Sequence, residues 1–400
     1  MIVVIIGNGL AGTIAAKTLR EMDAQAEIHI YAQERVFYYP RPNLIEYIAG
    51  RLPYGRLFAF AEAWYADRKI EVRLGTPVER ILASSREIEI GGGRRVSYDA
   101  LLLANGASSF IPPMTGAERK GVFALRTLDD AQAILAYAES HPRVAVIGGG
   151  LLGLEIARAL RLRGAEVDIV EFFPNLLPRQ LDPRGGELLK AEIEKSGIRV
   201  HLGLATEEIL GSPDIRGLRF KGGREIQADM AIVAAGVRPN LKLAQEAGIQ
   251  ADRGVVVNDF LETNVSGIYA AGDGVQHNGR TYGIIPASFD QARTVAANIL
   301  GRKKAYTGTV PSNTLKVVGI HLTSVGLVNP EGGEYEEIRY QKPEEGIYKK
   351  IVLLNGRAAG AIWMGTRNGV DGITRAVMKK ANVARWKEDL FQDTFDFSVL

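Results

Sequence analysis

The chain has 400 residues, of which 46% are hydrophobic and 24% are charged, and its formal net charge at pH 7 is +3. This composition is typical of a soluble globular protein of several domains, and the small net charge gives no support for nucleic-acid binding. Cysteine is absent, which excludes a disulfide, a thiolate nucleophile and a cysteine-held iron–sulfur cluster. No apolar run reaches the ~18 residues of a membrane span, and the five histidines lack metal-ligand spacing. We therefore expect a cytoplasmic protein with no membrane segment and no metal site.

The first predicted element is a strand over residues 2–6, which an apolar run forms directly before a glycine-rich turn. No basic leader precedes this run, so a signal peptide is not indicated. The turn and the helical pattern after it read Gly7-Asn-Gly9-Leu10-Ala11-Gly12. In such a pattern the glycines allow a tight turn, the approach of a pyrophosphate and close packing of helix on strand. The phosphates then lie at the N-terminus of the helix. The pattern therefore predicts a first dinucleotide site.

The second predicted strand covers residues 27–31, and Glu34 follows it. An acidic residue after the second strand of a nucleotide-binding unit commonly accepts a hydrogen bond from a ribose hydroxyl. Glu34 is therefore the candidate for an adenosine ribose, although it falls later in register than its counterpart in the second copy. The alternative is an acidic side chain in a solvated loop.

A second copy of the glycine pattern lies 141 positions after the first (148 minus 7) and reads Gly148-Gly-Gly150-Leu-Leu152-Gly153. The next strand, over residues 165–170, ends in Glu171, which is 23 residues beyond Gly148 (171 minus 148). That spacing is close to the ~20 residues expected for a ribose-binding carboxylate. Neither Arg nor Lys follows at once to hold a 2′-phosphate, so this site should prefer NADH to NADPH. Two copies imply two dinucleotides and electron transfer between them.

Three more apolar strands end in glycine turns, at Ala104-Asn105-Gly106, at Gly236 and at Gly272-Asp273. The last of these turns is the most specific. A carboxylate there could hold the hydroxyl chain of a ligand longer than a nucleotide, and the alternative is that Asp273 caps a turn. Further along, Pro286 and Ala287 are expected to begin a helix.

The last ~95 residues are predicted to form a small α+β domain. The dipeptide Asn355-Gly356 between two apolar runs predicts a β-hairpin. We also expect a strand over residues 315–322 and a helix over residues 372–378. Trp363, on the hairpin, is more readily a core residue than a functional one.

Taken together, these motifs resemble the FAD-dependent pyridine nucleotide reductases that have two dinucleotide-binding domains. The resemblance covers essentially the whole chain. Within that family the NADH:rubredoxin oxidoreductases, the flavin modules of nitrite reductases and the ferredoxin reductases are the most similar branch. The resemblance implies an α/β fold like that of glutathione reductase, with two Rossmann-like domains and a small C-terminal α+β domain. It assigns residues 1–110 and 242–304 to FAD binding, 111–241 to NAD binding and 305–400 to the C-terminal domain.

The resemblance also implies roles for individual residues. Asp273 would bind the ribityl chain of FAD, and the helix that begins at Pro286 would direct its positive end at the flavin. Glu155, near the start of the second glycine-turn helix, would lie near the nicotinamide, and its alternative role is an acidic residue that stabilises the helix dipole. Arg41 and Pro42 resemble a loop that lies against the flavin, and with Glu155 they form the candidate catalytic set. The candidate cofactor-binding residues are Gly7, Gly9, Leu10, Ala11, Gly12, Glu34, Arg41, Ala104, Asn105, Gly106, Gly148, Gly150, Leu152, Gly153, Glu155, Glu171, Gly236, Gly272, Asp273, Pro286 and Ala287.

The expected function follows from the resemblance and from the lack of cysteine. The disulfide reductases and peroxidases of the family use redox cysteines, so those activities are excluded. We expect hydride transfer from NADH to FAD, followed by single-electron transfer to rubredoxin, a ferredoxin or the iron–sulfur subunit of a larger complex. The protein is expected to be a monomer or a homodimer. Two alternatives stay open: an NADH oxidase that uses oxygen, and a non-catalytic FAD- and NADH-binding switch protein. Trp363 would in this family lie near the flavin.

Overall fold

The computed structural model describes residues 1–317 and 319–400, and for residues 313–317 it describes the backbone alone. The α-helices in this part of the chain are α1 (Leu10–Met22), α2 (Asn43–Ile48), α3 (Glu62–Asp67), α4 (Leu128–Ala138), α5 (Leu151–Leu162), α6 (Pro183–Lys195), α7 (Lys242–Glu246), α8 (Ile285–Ile299) and α9 (Val370–Met378). Short 3₁₀ helices cover Tyr54–Arg56, Pro343–Glu345, Ala384–Trp386, Asp389–Phe391 and Phe397–Val399.

The β-strands are given in chain order. They are β1 (Ile2–Ile6), β2 (Glu27–Tyr31), β3 (Ile70–Arg73), β4 (Val78–Leu82), β5 (Glu87–Ile90), β6 (Arg94–Ser97), β7 (Ala100–Leu103), β8 (Ala107–Ser109), β9 (Val122–Phe123), β10 (Arg143–Ile147), β11 (Glu166–Val170), β12 (Arg199–His201), β13 (Thr206–Gly211), β14 (Ile215–Phe220), β15 (Glu225–Gln227), β16 (Met230–Val233), β17 (Val237–Pro239), β18 (Val255–Val257), β19 (Ile268–Ala270), β20 (Val275–His277), β21 (Ser312–Val317), β22 (Ile320–Gly326), β23 (Tyr335–Lys342), β24 (Ile347–Leu354) and β25 (Arg357–Met364).

The chain divides into two compact units. The first unit comprises residues 1–44, 52–108 and 237–309, and the second comprises residues 45–51, 109–236 and 310–400. The predicted boundaries of the three domains, which separate 111–241 from 305–400, stay a prediction.

The first unit is built on a five-stranded parallel sheet in the order β19-β7-β1-β2-β3. Its central strand β1 pairs with β2 and β7, and Ile6 lies opposite Tyr31 and Leu103. Both faces of β1 are covered, and Val3, Val4 and Ile5 have no exposed surface, as expected for a parallel sheet inside an α/β unit. The helices α1 and α8 pack against each other. A three-stranded antiparallel sheet, β4-β5-β6, belongs to the same unit.

The second unit repeats this plan with the parallel sheet β12-β11-β10-β16-β9. Its central strand β10 pairs with β11 and β16, and Ile147 lies opposite Val170 and Val233. An antiparallel sheet, β13-β14-β15, accompanies it. The confirmed α/β fold class thus rests on two parallel sheets, each of which begins a helix directly after its central strand.

The second unit also contains an antiparallel sheet in the order β21-β22-β25-β24-β23, on which α9 packs. The predicted hairpin is confirmed, since β24 and β25 flank Asn355 and Gly356, whose φ angles are +51° and +71°, as a two-residue hairpin turn requires. The single strand predicted over 315–322 is wrong, because the backbone turns between β21 and β22 and pairs Val317 with Ile320. Gly319 takes a φ of +89° there, and residue 318 lies outside the described residues. Trp363 is a core residue of this unit, 1% exposed.

No helix in residues 1–317 or 319–400 combines the length and the apolar character needed to cross a membrane.

Candidate functional site

The two glycine turns have the same backbone structure. In the first unit the Gly7 N–H donates to the carbonyl oxygen of Tyr31 at 2.8 Å, and in the second the Gly148 N–H donates to that of Val170, also at 2.8 Å. Each turn therefore leaves the carboxyl end of a central strand and is tied to the end of the neighbouring strand. That edge of a parallel sheet is where nucleotides bind in open α/β folds.

Two glycines of each turn are required by close packing. A Cβ on Gly7 would lie 2.3 Å from the carbonyl oxygen of Ala104, and one on Gly12 would lie 2.0 Å from the carbonyl oxygen of Gly7. In the second unit the corresponding distances for Gly148 and Gly153 are 2.5 Å and 1.9 Å, each to a carbonyl oxygen. These approaches are shorter than any real Cβ contact, so both turns need glycine at their first and third positions.

The middle glycine of each turn faces open space instead. A Cβ on Gly9 or Gly150 would have no atom within 4 Å, and the helices α1 and α5 begin at the next residue, Leu10 and Leu151. Unpaired N–H groups and the positive end of the helix dipole face a ligand at such a place. The two cradles therefore fit the pyrophosphates of two dinucleotides.

Asn8, between the glycines of the first turn, is a site residue that the sequence pattern did not reveal. Its Oδ1 atom accepts from the hydroxyl of Thr13 at 2.9 Å. Its Nδ2 atom is buried and has no hydrogen-bond partner within the described residues. Because a buried donor without a partner is costly, this amide fits an acceptor supplied by a ligand at the turn. An amide side chain inside the glycine pattern was the available signal.

Other predicted residues of the first unit lie together around this turn. A Cβ on Gly272 would lie 3.1 Å from the Cβ of Ala11, and a Cβ on Gly274 would lie 3.1 Å from the carbonyl oxygen of Gly106. The Gly272 N–H donates to Oε1 of Gln291 on α8 at 2.8 Å. The turns after β1, β7 and β19 and the first part of α8 are thus neighbours at one edge of the sheet.

The predicted helix start is confirmed, because α8 begins at Ile285 with Pro286 in its first turn and with Ala287 buried. Asp273 follows Gly272, whose φ of +96° suits glycine alone. The expected roles of Asp273 at a ribityl chain and of the α8 dipole at a flavin stay predictions.

Asn105 has a structural role that the sequence did not show. Its Nδ2 donates to the backbone oxygen of Asn240 at 3.0 Å, and Nδ2 of Asn240 donates to the backbone oxygen of Asn105 at 2.8 Å. The hydroxyl of Ser108 donates to Oδ1 of Asn240 at 2.7 Å. These reciprocal bonds join the segments by which the chain leaves and re-enters the first unit.

Glu34 and Arg41, predicted for two different parts of a cofactor, lie together in the structure. The Arg41 guanidinium donates to Oε1 of Glu34 at 2.5 Å, and the Tyr39 hydroxyl donates to Oε2 of Glu34 at 2.5 Å. Since Tyr31 corresponds to Val170 by hydrogen bonding, the structural counterpart of Glu171 is Ala32 rather than Glu34. The binding roles of Glu34, Arg41 and Pro42 stay predictions.

Glu171 lies against the second turn. Only 6% of the residue is exposed, and its Oε2 accepts from the Gly149 N–H at 2.6 Å while its Oε1 accepts from the Phe173 N–H at 2.8 Å. The carboxylate therefore connects the glycine turn to the segment after β11. A carboxylate has about four lone-pair sites, so it can still accept from a ligand hydroxyl.

The remaining candidates of the second unit lie on or near α5. Leu152 is in the first turn of α5 and is 38% exposed. Glu155 lies one turn further, with its Oε2 3.8 Å from Nη1 of Arg158. Gly236, after β16, has a φ of +104° and accepts a hydrogen bond from the Phe110 N–H at 2.9 Å. Their roles toward a nicotinamide stay predictions.

Comparisons with known proteins agree with this geometry. The family model for pyridine nucleotide-disulphide oxidoreductases matches residues 1–292, and the model for the C-terminal domain of rubredoxin NAD+ reductase matches residues 311–381. The rubredoxin-NAD(+) reductase of Ectopseudomonas oleovorans is 31% identical over 383 residues, which cover 90% of this chain and 99% of that protein. A ferredoxin reductase for the CYP199A2 system from Rhodopseudomonas palustris superposes with a TM-score of 0.90 at 26% identity and covers 100% and 99% of the two chains.

Larger proteins match as well. The nitrite reductase [NAD(P)H] of Bacillus subtilis (strain 168) is 36% identical over 383 residues, or 95% of this chain and 48% of that protein. The chain spans about half the length of this and other curated relatives that it matches.

Proposed function

Because the chain belongs to the pyridine nucleotide-disulphide oxidoreductase family, we propose that it oxidises NADH through bound FAD and passes electrons singly to an iron protein. The observation that carries this proposal is the presence of two equivalent phosphate cradles in one chain, open at Gly9 and Gly150. A single cradle would serve one nucleotide. Two cradles serve a dinucleotide that stays bound and a dinucleotide that exchanges.

The residues of the chain hold and orient the two dinucleotides. FAD, when bound, accepts a hydride from NADH and releases electrons one at a time. In the proposal, Asn8, Gly9 and the N-terminus of α1 bind the FAD pyrophosphate, while Gly150 and Glu171 bind NADH. No side chain is required as an acid or a nucleophile, because proximity and orientation supply most of the rate.

The acceptor lies outside the chain, since a sequence with no cysteine offers no disulfide to reduce. The match of residues 311–381 to a rubredoxin reductase C-terminal domain supports a rubredoxin or a ferredoxin. The length relation to the nitrite reductases supports a second form of the same proposal, in which the acceptor is the iron–sulfur part of a larger assembly.

The test is anaerobic reduction of the FAD-loaded protein with NADH and separately with NADPH, followed by mixing with oxidised rubredoxin, with ferredoxin or with oxygen. We expect NADH to bleach the flavin absorbance faster than NADPH does. We also expect one of the iron proteins to reoxidise the flavin much faster than oxygen does.

Two outcomes contradict the proposal. If the purified protein is colourless and does not take up FAD, the first cradle has a different ligand. If NADH bleaches the flavin but oxygen is the fastest acceptor, the protein is an NADH oxidase.

A further inference from the structure

Two adjacent aromatic side chains next to the second cradle are exposed. Phe172 is 65% exposed, the largest value among the large hydrophobic residues described, and Phe173 is 50% exposed. Their ring centroids are 5.4 Å apart and the planes lie at 82°, so the rings contact each other edge to face. Adjacent exposed aromatic rings commonly mark a binding surface.

The backbone that carries these rings is held in place on both sides. The Glu171 carboxylate accepts from the Phe173 N–H at 2.8 Å, and the Phe173 carbonyl oxygen accepts from the Gly203 N–H at 3.0 Å. The Glu171 backbone donates to His201 at 2.8 Å and accepts from Leu204 at 3.0 Å. The exposed rings are therefore fixed to the end of β11 and to the segment that follows β12.

The chemistry of a dinucleotide indicates what these rings contact. The ribose C2′ hydroxyl, for which Glu171 is the acceptor, is bonded to the carbon next to C1′, and C1′ carries the adenine. The base must then lie within a few ångströms of the residues that follow Glu171. Adenine has a flat π-face on which aromatic side chains stack.

We propose that Phe172 and Phe173 form the adenine-binding surface of the second dinucleotide site. The inference rests on the proposed function, in that the ligand is NADH. It adds the part of NADH that the aromatic pair recognises: the base, with no contribution to the nicotinamide half. The pair then affects how tightly NADH binds and leaves the rate of hydride transfer unchanged.

The test compares NADH with reduced nicotinamide mononucleotide, which lacks the adenosine half. For F172A, F173A and the double variant, rapid mixing gives the half-saturating concentration and the limiting rate of flavin bleaching. We expect the double variant to raise the half-saturating concentration of NADH about 5- to 50-fold, the range of base–aromatic stacking. The limiting rate and all constants for reduced nicotinamide mononucleotide should stay as in the parent protein, and F172W should restore NADH binding.

A matched control is F260A, because Phe260 is another exposed phenylalanine, 40% exposed, and belongs to the first unit. It should change none of these constants. An unchanged half-saturating concentration for NADH in the double variant, with its melting temperature preserved, overturns the inference. Slower reduction of the iron protein with unchanged NADH binding also overturns it, because the pair would then be a protein-docking surface.

Binding of ADP-ribose, measured by calorimetry, separates this inference from the proposed function. ADP-ribose contains the adenine, its ribose and the pyrophosphate, and its binding needs no flavin reduction and no acceptor. Weaker ADP-ribose binding in the double variant supports the adenine contact even if no iron protein is reduced. Equal binding by parent and double variant rejects it.

Discussion

Glu171 shows how one side chain serves both the fold and the ligand. Its two carboxylate oxygens accept from the amides of Gly149 and Phe173, so the residue shapes the second site before any dinucleotide binds. A buried carboxylate that accepts two backbone hydrogen bonds is expensive to replace. Substitutions of Glu171 therefore change stability as well as ligand choice.

For Glu171→Arg we expect nucleotide preference to move from NADH toward NADPH by about 1–3 kcal/mol, because a hydroxyl acceptor is exchanged for a phosphate-binding cation. The loss of the two amide acceptors should lower the free energy of unfolding by about 1–3 kcal/mol. The measurements are kcat/KM for both nucleotides and urea unfolding. Glu34→Arg, in the first unit, is the control and should leave the preference unchanged. Unaltered selectivity in Glu171→Arg would remove Glu171 from the site.

Residues with local signals were predictable from sequence, and residues defined by distant partners were not. Glu171 follows a strand at the spacing that a ribose-binding carboxylate requires, and Asp273 follows a glycine at the end of another. The bonds between Asn105 and Asn240 join positions 135 residues apart, and no local pattern encodes such a pair. Asn8 was visible in the glycine pattern, but its unpaired buried donor needs three-dimensional structure.

Whole elements were predicted best where hydrophobic pattern and turn chemistry agreed. The strand over residues 27–31 coincides with β2, and the Asn-Gly turn marks the β24–β25 hairpin. The strand predicted over 315–322 failed because apolar residues continue on both sides of the turn. One glycine, Gly319, was the only local sign that the backbone reverses there.

The middle glycines of the two turns allow a clean test of which cradle binds which dinucleotide. Gly9 and Gly150 have φ angles of −83° and −79°, which alanine also adopts, and a Cβ at either would meet no protein atom. We expect Gly9→Ala to fold but to lose FAD, because the methyl group occupies the space of the pyrophosphate. Gly150→Ala should keep FAD and raise the half-saturating concentration of NADH at least about tenfold, a loss of about 1.4 kcal/mol.

Flavin absorbance, NADH titration and thermal unfolding check this pair, and the third glycines provide the contrast. A Cβ at Gly12 or Gly153 would lie within 2.0 Å of a carbonyl oxygen, so Gly12→Ala and Gly153→Ala should lower stability by several kcal/mol through overpacking. If Gly9→Ala retains FAD while Gly150→Ala loses it, the two cradles have been assigned in the wrong order.

At the scale of the molecule, family membership confirms the expected fold class and the FAD and NADH cofactors. The second unit also shows how residues 109–236 and 310–400 form one compact body. Asp182, the N-cap of α6, accepts from the Tyr348 hydroxyl at 2.6 Å, and its Oδ2 lies 3.3 Å from Nζ of Lys350. Lys350 is 1% exposed and also contacts Glu337 at 2.9 Å. A lysine inside a strand is a strong sequence signal for exposure, so this buried ionic cluster could not be predicted.

Acid should weaken this unit through a second carboxylate, Asp168. Burial by itself would raise the pKa of Asp168, but hydrogen bonds from His201 and Arg199 lower it to about 2. A carboxyl group whose pKa is lower in the folded state stabilises the fold above its unfolded pKa of about 4, and this is lost as pH falls toward 2. We expect a loss of about 2 kcal/mol over that interval. Urea unfolding at several pH values measures it, and Asp168→Asn should flatten the profile. An equal slope in that variant would assign the acid sensitivity to other carboxyl groups.

The buried cluster makes a prediction that separates coupling from simple packing. For Lys350→Met we expect the free energy of unfolding to fall by about 3 kcal/mol, because Asp182 and Glu337 lose their shared cation. Asp182→Asn keeps the helix cap but leaves the buried lysine with one carboxylate fewer, so it should also destabilise. The double variant should lose less than the sum of the single losses by about 1–3 kcal/mol.

Urea unfolding of the four proteins gives this coupling energy. Lys342→Met is the matched control, because Lys342 and Glu345 form an exposed pair at 3.0 Å that should contribute no more than about 0.5 kcal/mol. Additive losses in the cycle would mean that Lys350 and Asp182 stabilise the unit independently. The two segments would then be held together mainly by the apolar contacts of α6 and β24.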